Sequence, residues 1–350
     1  MHDAKKILKE FKARNTQWSS YSRFLELEES ELKPFFNLAR NNSYQNFGNI
    51  LKIYIPNKNF PSISVTGSSC ALECEHCNTK YLDSMQPILN NVELETFLLD
   101  LADKGAVGVL LSGGCDSEGS VPLLNFLDTI KKVKNQTNLI INTHTGLLNK
   151  KTAKKLKEAK IDIVSFDINI DQEIIRDIYH LDKDLNDYKN ALNLLKNEGL
   201  NIVPHLCIGL HYGKLHKELE SLKIIKELDL NPSLIVLIAL IPPKEKDNFT
   251  RPKPIDIAKI CALVRFIFPE TEISLGCMRP RADVKVEIEK LAIQAGINRI
   301  EIPSTHTIKW LKKVNPEISL RYFSACCAIP NELENLAKSK DSDIKRYLKI

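Results

Sequence analysis

Cys70-Ala71-Leu72-Glu73-Cys74-Glu75-His76-Cys77 follows the apolar run Ile63-Ser64-Val65-Thr66 and precedes the polar segment Asn78-Thr79-Lys80-Tyr81. Three cysteines fall within eight residues, at spacings of four and three. That is too tight and too asymmetric for an ordinary disulfide pair. It suits a loop that curls once around a compact metal centre. Three thiolates on a cubane leave one iron without a protein ligand, and chemistry can take place at an open iron. Zinc with a distant fourth ligand is the competing reading, although zinc sites usually pair a short Cys spacing with a matching second pair.

From residue 62 onward short apolar runs alternate with helix-length amphipathic segments. The runs are Ile63–Thr66, Val107–Ser112, Leu139–Thr143, Ile161–Asp167, Ile202–Ile208, Leu234–Ile241, Ile273–Cys277 and Ile300–Pro303. Helices are expected over Val92–Asp103, Pro122–Val133, Asn149–Ala159, Asp184–Asn197, His216–Leu228, Asp256–Phe268, Val284–Ala295 and Thr307–Lys313. Gly105, Gly199 and Gly296 stand where helices should stop. Eight βα units in this length fit an α/β fold of the (β/α)8 TIM type, full or partly open, better than a three-layer open sheet.

Residues 1–60 read as a mostly helical extension. It has an amphipathic stretch at Ala4–Phe11, a short helix entered at Pro34-Phe35-Phe36, and an edge strand over Leu51–Pro56. Residues 61–313 form the barrel and 314–350 a short C-terminal extension with a lysine-rich end at Lys338–Lys349. The 350 residues carry 49 basic and 44 acidic side chains, a mild excess that gives no ground for nucleic-acid binding. No apolar run reaches membrane-spanning length, and Met1-His2-Asp3-Ala4-Lys5-Lys6 lacks a signal-peptide core. Nine cysteines without a secretory signal point to a reducing, cytoplasmic setting, where they serve as metal ligands, reactive thiols or small core residues.

In parallel α/β barrels the chemistry lies at the C-terminal ends of the strands. The cysteine loop follows the first run. Ser112-Gly113-Gly114-Cys115-Asp116 follows the second and Thr143-His144-Thr145-Gly146 the third. The fourth ends in Asp167-Ile168-Asn169, the fifth in His205-Leu206-Cys207-Ile208-Gly209, and the seventh in Gly276-Cys277-Met278-Arg279. Cys115, Cys207 and Cys277 thus mark three different strand ends, whereas Cys261 lies on an apolar helix face and reads as core. Such a trio could hold a second, auxiliary iron–sulfur cluster, with His144, Arg279, Cys326 or Cys327 as a fourth ligand. The bland reading is three small residues lining a pocket.

Cys70-x-x-x-Cys74-x-x-Cys77 after the first strand of a βα barrel resembles the radical S-adenosylmethionine (SAM) superfamily over about residues 61–305. The resemblance implies a [4Fe-4S] cluster on the three cysteines, with the methionine amino and carboxylate groups of SAM on the open iron. One-electron reduction then yields a 5′-deoxyadenosyl radical that takes a substrate hydrogen. It also implies that Gly113-Gly114 receives the methionine amine, that Asp167 or Asn169 bonds the ribose, and that Ile208-Gly209 lies beside adenine. His76 holds the place of an aromatic ring that the family often carries. Cys115 replaces the usual acidic residue after the glycines.

The strand-end cysteines also resemble biotin synthase, although His144 stands where that enzyme has a cysteine and Cys277 is extra. Gly276-Cys277-Met278-Arg279-Pro280-Arg281, Ile300-Glu301-Ile302-Pro303-Ser304 and Cys326-Cys327-Ala328 are more similar to the archaeal two-subunit lipoyl synthases. That likeness implies sulfur insertion from the auxiliary cluster into a protein-bound octanoyl chain. A homologous partner subunit, an octanoylated carrier or lipoyl domain and a reducing electron donor go with it. The competing functions are a radical enzyme of biotin synthase-like, methylating or carbon-skeleton chemistry with a single cluster, and a non-catalytic metal-binding scaffold.

Overall fold

Several helices begin where a side chain satisfies the unpaired amides of the first turn. Asn90 Oδ1 accepts from Glu93 N at 2.9 Å, Asn149 Oδ1 from Thr152 N at 3.0 Å, and Ser304 Oγ from His306 N at 3.2 Å. Asp184 and Asp187 cap each other's backbone in a reciprocal box. Gly105, Gly199 and Gly296 follow the ends of three helices with φ of +71°, +61° and +95°, a conformation that side chains with a Cβ resist.

The computed structural model describes residues 2–348. Its elements are α1 (His2–Lys12), α2 (Trp18–Glu26), α3 (Glu29–Phe47), β1 (Ile50–Tyr54), β2 (Ser62–Ser64), β3 (Gln86–Pro87), α4 (Asn91–Asp103) and β4 (Gly108–Ser112). Then come α5 (Leu127–Lys134), β5 (Ile140–His144), α6 (Lys150–Glu158), β6 (Ile163–Asp167), α7 (Leu185–Asn197), β7 (Ile202–Ile208), α8 (Glu218–Glu227) and β8 (Leu234–Ala239). The chain ends with α9 (Pro254–Ile267), β9 (Glu272–Leu275), α10 (Asp283–Gln294), β10 (Arg299–Glu301), α11 (Thr305–Val314), β11 (Ser319–Phe323) and α12 (Asp341–Leu348). Met1 of the expected N-terminal stretch and Lys349 of the lysine-rich end lie outside the described residues.

All eight expected strands are present, as β2 and β4 to β10. The fold is α/β, with one sheet of eleven strands in the order β11-β1-β10-β9-β8-β7-β6-β5-β4-β2-β3. The order is linear, which is the partly open form of the expected TIM-type arrangement. The β2–β4–β5–β6–β7 and β8–β9–β10 pairings are parallel. Strands covered on both faces read as unbroken apolar runs, as in Leu234-Ile235-Val236-Leu237-Ile238-Ala239. One expectation fails: β1 is not an edge strand, because β11, unforeseen in the sequence, adds outside it. Nor is the second N-terminal helix short. α3 runs 19 residues, with Pro34 in its second turn, since Leu32, Phe35, Phe36 and Ala39 give it a buried face.

Two compact units divide the chain. The first comprises Met1–Ile53, Leu206–Lys223 and Ser233–Arg321, and the second Tyr54–His205, Ile224–Pro232 and Tyr322–Ile350. In the first, α9 is buried on nearly every side because the N-terminal helices cover its outer face. Phe11, Phe24 and Phe35 cluster there, and Phe266 of α9 lies 4.6 Å from Phe11 between ring centroids. Lys259 Nζ donates to Leu25 O at 2.7 Å, and buried Arg265 donates to the carbonyls of Gly296, Pro269 and Thr271. Cys261 is wholly buried in the same helix, as expected.

Glu272, the first residue of β9, ties together three strands of the first unit. Its carboxylate pairs with Arg299 of β10 and with Lys52 Nζ of β1 at 2.8 Å, and it accepts from Asn298 Nδ2 at 2.8 Å. Removing one member of a buried pair leaves charge uncompensated, at a cost of about 3–5 kcal/mol. Glu272→Ala is therefore expected to lower unfolding free energy by about that amount in denaturant titration. A midpoint unchanged from wild type would show that this network does not hold β1, β9 and β10 together.

Candidate iron–sulfur and cofactor site

The site is built wholly within the second unit, at the C-terminal ends of β2, β4, β5 and β6. β2 leads into a turn in which Ser64 Oγ donates to Gly67 O at 2.6 Å and Ser69 N to Thr66 O at 3.1 Å. The cysteine loop is then stitched to the turn after β4. Gly114 N donates to Thr66 Oγ1 at 2.7 Å, and Ala71 N to Cys115 O at 2.8 Å. Gly114 permits this closeness: a Cβ there would lie 2.0 Å from Ser69 O and 2.5 Å from the Cβ of Cys70.

Within the loop, Cys77 N and Asn78 N both donate to Cys74 O, at 3.0 and 2.8 Å, which folds the second and third cysteines over one another. Glu73, Asn78 and Thr79 turn the chain with φ of +45°, +42° and +60°. The far side is held by the segment after β6. Ile174–Ile178 forms a single π-helical turn there, a form that often marks functional sites. Ile178 O accepts from Glu75 N at 2.8 Å, and His180 Nε2 lies 2.8 Å from Glu75 Oε1. Tyr179 stacks at a tilt against His76, with ring centroids 5.5 Å apart.

The result is an open cavity of about 310 Å³. Cys70, Cys74, Cys77, His76, Gly113 and Gly114 all line it, and so do Cys115 and Asp167. The ligating atoms of Cys74, His76 and Cys77 lie within 4.8 Å of one another. A hydrogen bond from the Cys74 thiol lowers Cys77 to about 7, while the same bond and then burial hold Cys74 well above the usual thiol range. Two thiols this close, one of them lowered toward its thiolate form, suit metal capture. Burial lowers His76 to about 4, so its imidazole is neutral, and its Nδ1 is buried without a partner. Soft thiol donors, a close-approach glycine and an unpaired imidazole nitrogen fit an iron–sulfur cluster held at three corners with a small-molecule ligand beside it.

Asp167, at the end of β6, faces this cavity. Burial works to raise its carboxyl, but attraction to His144 holds it below the usual carboxylate range. His144 Nδ1 lies 3.8 Å from Asp167 Oδ2, and His144 and His205 meet edge to face at 5.0 Å. His205 Nδ1 lies 3.0 Å from Val203 O, which fixes that nitrogen as the N–H, and burial lowers the ring to about 4. Asn169 turns away into a local bend, where its Oδ1 accepts from Asp171 N at 3.2 Å.

The other candidates are not among the residues that line this cavity. Cys207, Ile208 and Gly209 end β7 in the first unit, where Gly209 N donates to buried Glu218 Oε1 at 2.8 Å. Cys277 follows β9 in the same unit. Arg279 is wholly buried and committed: it pairs with Glu289 Oε1 at 2.6 Å and donates to the carbonyls of Gly276, Glu301 and Ile302. Cys326, in the tail of the second unit, has its sulfur 4.0 Å from Asn142 Nδ2 of β5, and Cys327 is buried. Sequence reading missed Thr66, Tyr179 and the π turn, and gave His205 no role although it stands at a strand end. Gly114→Ala is expected to block loading: iron per chain after anaerobic reconstitution should fall severalfold, and wild-type iron content would refute the close approach.

Comparison with known proteins agrees with this geometry. Residues 64–228 match the model of the Radical SAM superfamily. The biotin synthase of Buchnera aphidicola subsp. Acyrthosiphon pisum (strain APS) is 24% identical over 333 residues, covering 90% of this chain and 92% of that protein. The biotin synthase of Bacillus subtilis (strain 168) is 26% identical over 215 residues, covering 59% and 62%. Two solved structures share the fold. They are the FeFe-hydrogenase maturase HydG from Carboxydothermus hydrogenoformans (TM-score 0.68, 19% identity, 87% of this chain and 71% of that one) and methylornithine synthase, PylB (0.56, 17%, 99% and 100%). Residues 64–228 thus match the Radical SAM superfamily, in a chain whose relatives at low identity include biotin synthases.

Proposed function

We propose that this radical SAM enzyme inserts sulfur at an unactivated carbon of a protein-bound octanoyl group, in assembly of the lipoyl cofactor. The observation that carries the enzyme class is the convergence of Cys70, Cys74 and Cys77 with the Gly114 backbone on one cavity. When bound, the cluster and SAM supply a one-electron reductive cleavage whose 5′-deoxyadenosyl radical takes a hydrogen atom. The chain's own residues do the rest. Thr66 and Gly114 fix the distance between the cysteine loop and the turn after β4. His76, Tyr179 and Tyr188 border the cavity and limit water, while Asp167 presents a carboxylate suited to hydroxyl groups.

Sulfur insertion is supported by likeness to biotin synthases across nearly the whole chain. The octanoyl substrate rests on the Gly276–Arg281 and Cys326-Cys327-Ala328 motifs. A homologous partner subunit, an octanoylated carrier or lipoyl domain and a reducing electron donor belong to the same proposal, in a cytoplasmic setting. No helix among the described residues is long and apolar enough to cross a membrane. For the sulfur donor we assign an auxiliary cluster to Cys207 and Cys277, both in the first unit. Cys115, which the sequence groups with them, lines the cavity of the first three cysteines instead.

An octanoyl-lysine peptide, offered with SAM and reductant in the presence and absence of the partner subunit, tests the substrate by product mass. Gain of sulfur is the expected outcome. An unchanged peptide, with the sulfur-free precursor of biotin consumed instead, would replace the lipoyl reading with a biotin one, which the 24% identity favours as the second choice. The Cys207→Ala, Cys277→Ala double variant is expected to drop from about eight irons per chain to about four. It should still form 5′-deoxyadenosine and yield no thiolated product; retained product would reject the donor assignment.

A further inference from the structure

Four cysteines, not three, border the cofactor cavity. Cys115 lines it together with Cys70, Cys74 and Cys77. Its carbonyl accepts from Ala71 N at 2.8 Å, and its neighbour Gly114 has only a hydrogen where any side chain would strike Cys70. The backbone at position 115 is thus bonded beside that of position 70, and both cysteines border the same cavity.

We propose that Cys115 is the fourth thiolate of the cluster in the absence of SAM: it binds the iron that the other three cysteines leave open, and SAM displaces it. This rests on the radical SAM reading of residues 64–228. The exchange balances without an outside reagent. The bond from iron to Cys115 Sγ breaks, and bonds from iron to the methionine nitrogen and a carboxylate oxygen form. The methionine ammonium must lose a proton to ligate iron, and the departing thiolate takes it; no electron moves. A carboxylate at position 115 would be a harder and poorer ligand for a sulfide-bound iron, and suits a bond from the incoming amine. A thiol can also hold a soft iron site beforehand. The consequence is a gate: without SAM the cluster is closed, keeps its fourth iron and resists reduction.

Wild-type enzyme and Cys115→Ala, reconstituted anaerobically without SAM, are treated with ferricyanide, and the three-iron cluster left by loss of an unprotected iron is followed by electron paramagnetic resonance. A severalfold larger three-iron signal in the variant is the expected result; equal yields overturn the proposal. Should Cys115→Ala hold no cluster, the uniformly 57Fe-labelled Cys207→Ala, Cys277→Ala variant, which keeps Cys115 and only the cluster of the first three cysteines, decides by Mössbauer spectroscopy. Four sulfur-ligated irons before SAM, one of which takes nitrogen and oxygen ligands after it, support the assignment. One such iron already present before SAM refutes it. Wild type that binds no iron would instead reject the radical SAM reading itself, a distinguishable result.

Discussion

The structure depends on one close approach, between the cysteine loop after β2 and the glycine turn after β4. Two hydrogen bonds define it, Gly114 N to Thr66 Oγ1 and Ala71 N to Cys115 O, at 2.7 and 2.8 Å. Neither is worth more than about 0.5–1.5 kcal/mol by itself. Their importance is geometric. They set where Cys70 stands relative to the backbone on which a small polar ligand would rest, and no residue larger than glycine leaves room for both.

The second support comes from the opposite side. Three residues without glycine's freedom, Glu73, Asn78 and Thr79, sit in left-handed conformations around the cysteines. Each costs about 1 kcal/mol or more. The bonds from Cys77 N and Asn78 N to Cys74 O, and from Glu75 N to Ile178 O, offset this by a similar amount. The metal-free loop is therefore held close to balance by its neighbours, and the binding energy of a metal centre is what would fix it. That explains why the segment after β6 departs from regular helix: a π turn at Ile174–Ile178 aims its last carbonyl at the loop.

Much of this was legible in the sequence because it depends on period and punctuation. Apolar runs, amphipathic segments and glycines after helices located the eight barrel strands and most helices to within a few residues. The cysteine spacing located the centre, and strand-end position brought His76, Gly113, Gly114 and Asp167 into the same site. What escaped had no local signal. The five residues Ile174–Ile178 are too few for helical periodicity to declare itself. β11 and β3 are strands only because a neighbour offers an unpaired edge. Thr66 carries no signature of its role, which comes from a partner 48 residues away. Cys115 shows the limit most clearly: its strand end was readable, but which cysteines it faces was not.

On the proposed reading, the loop Cys70–Cys77 and the turn at Gly113-Gly114 together hold a reducible cluster that cleaves SAM. The most direct measurement is 5′-deoxyadenosine released by the anaerobically reconstituted, dithionite-reduced enzyme, with the Cys70→Ala, Cys74→Ala, Cys77→Ala triple variant alongside. The account predicts product from wild type and none from the variant. Intact SAM with a fully loaded wild-type cluster, or product from the variant, would contradict it.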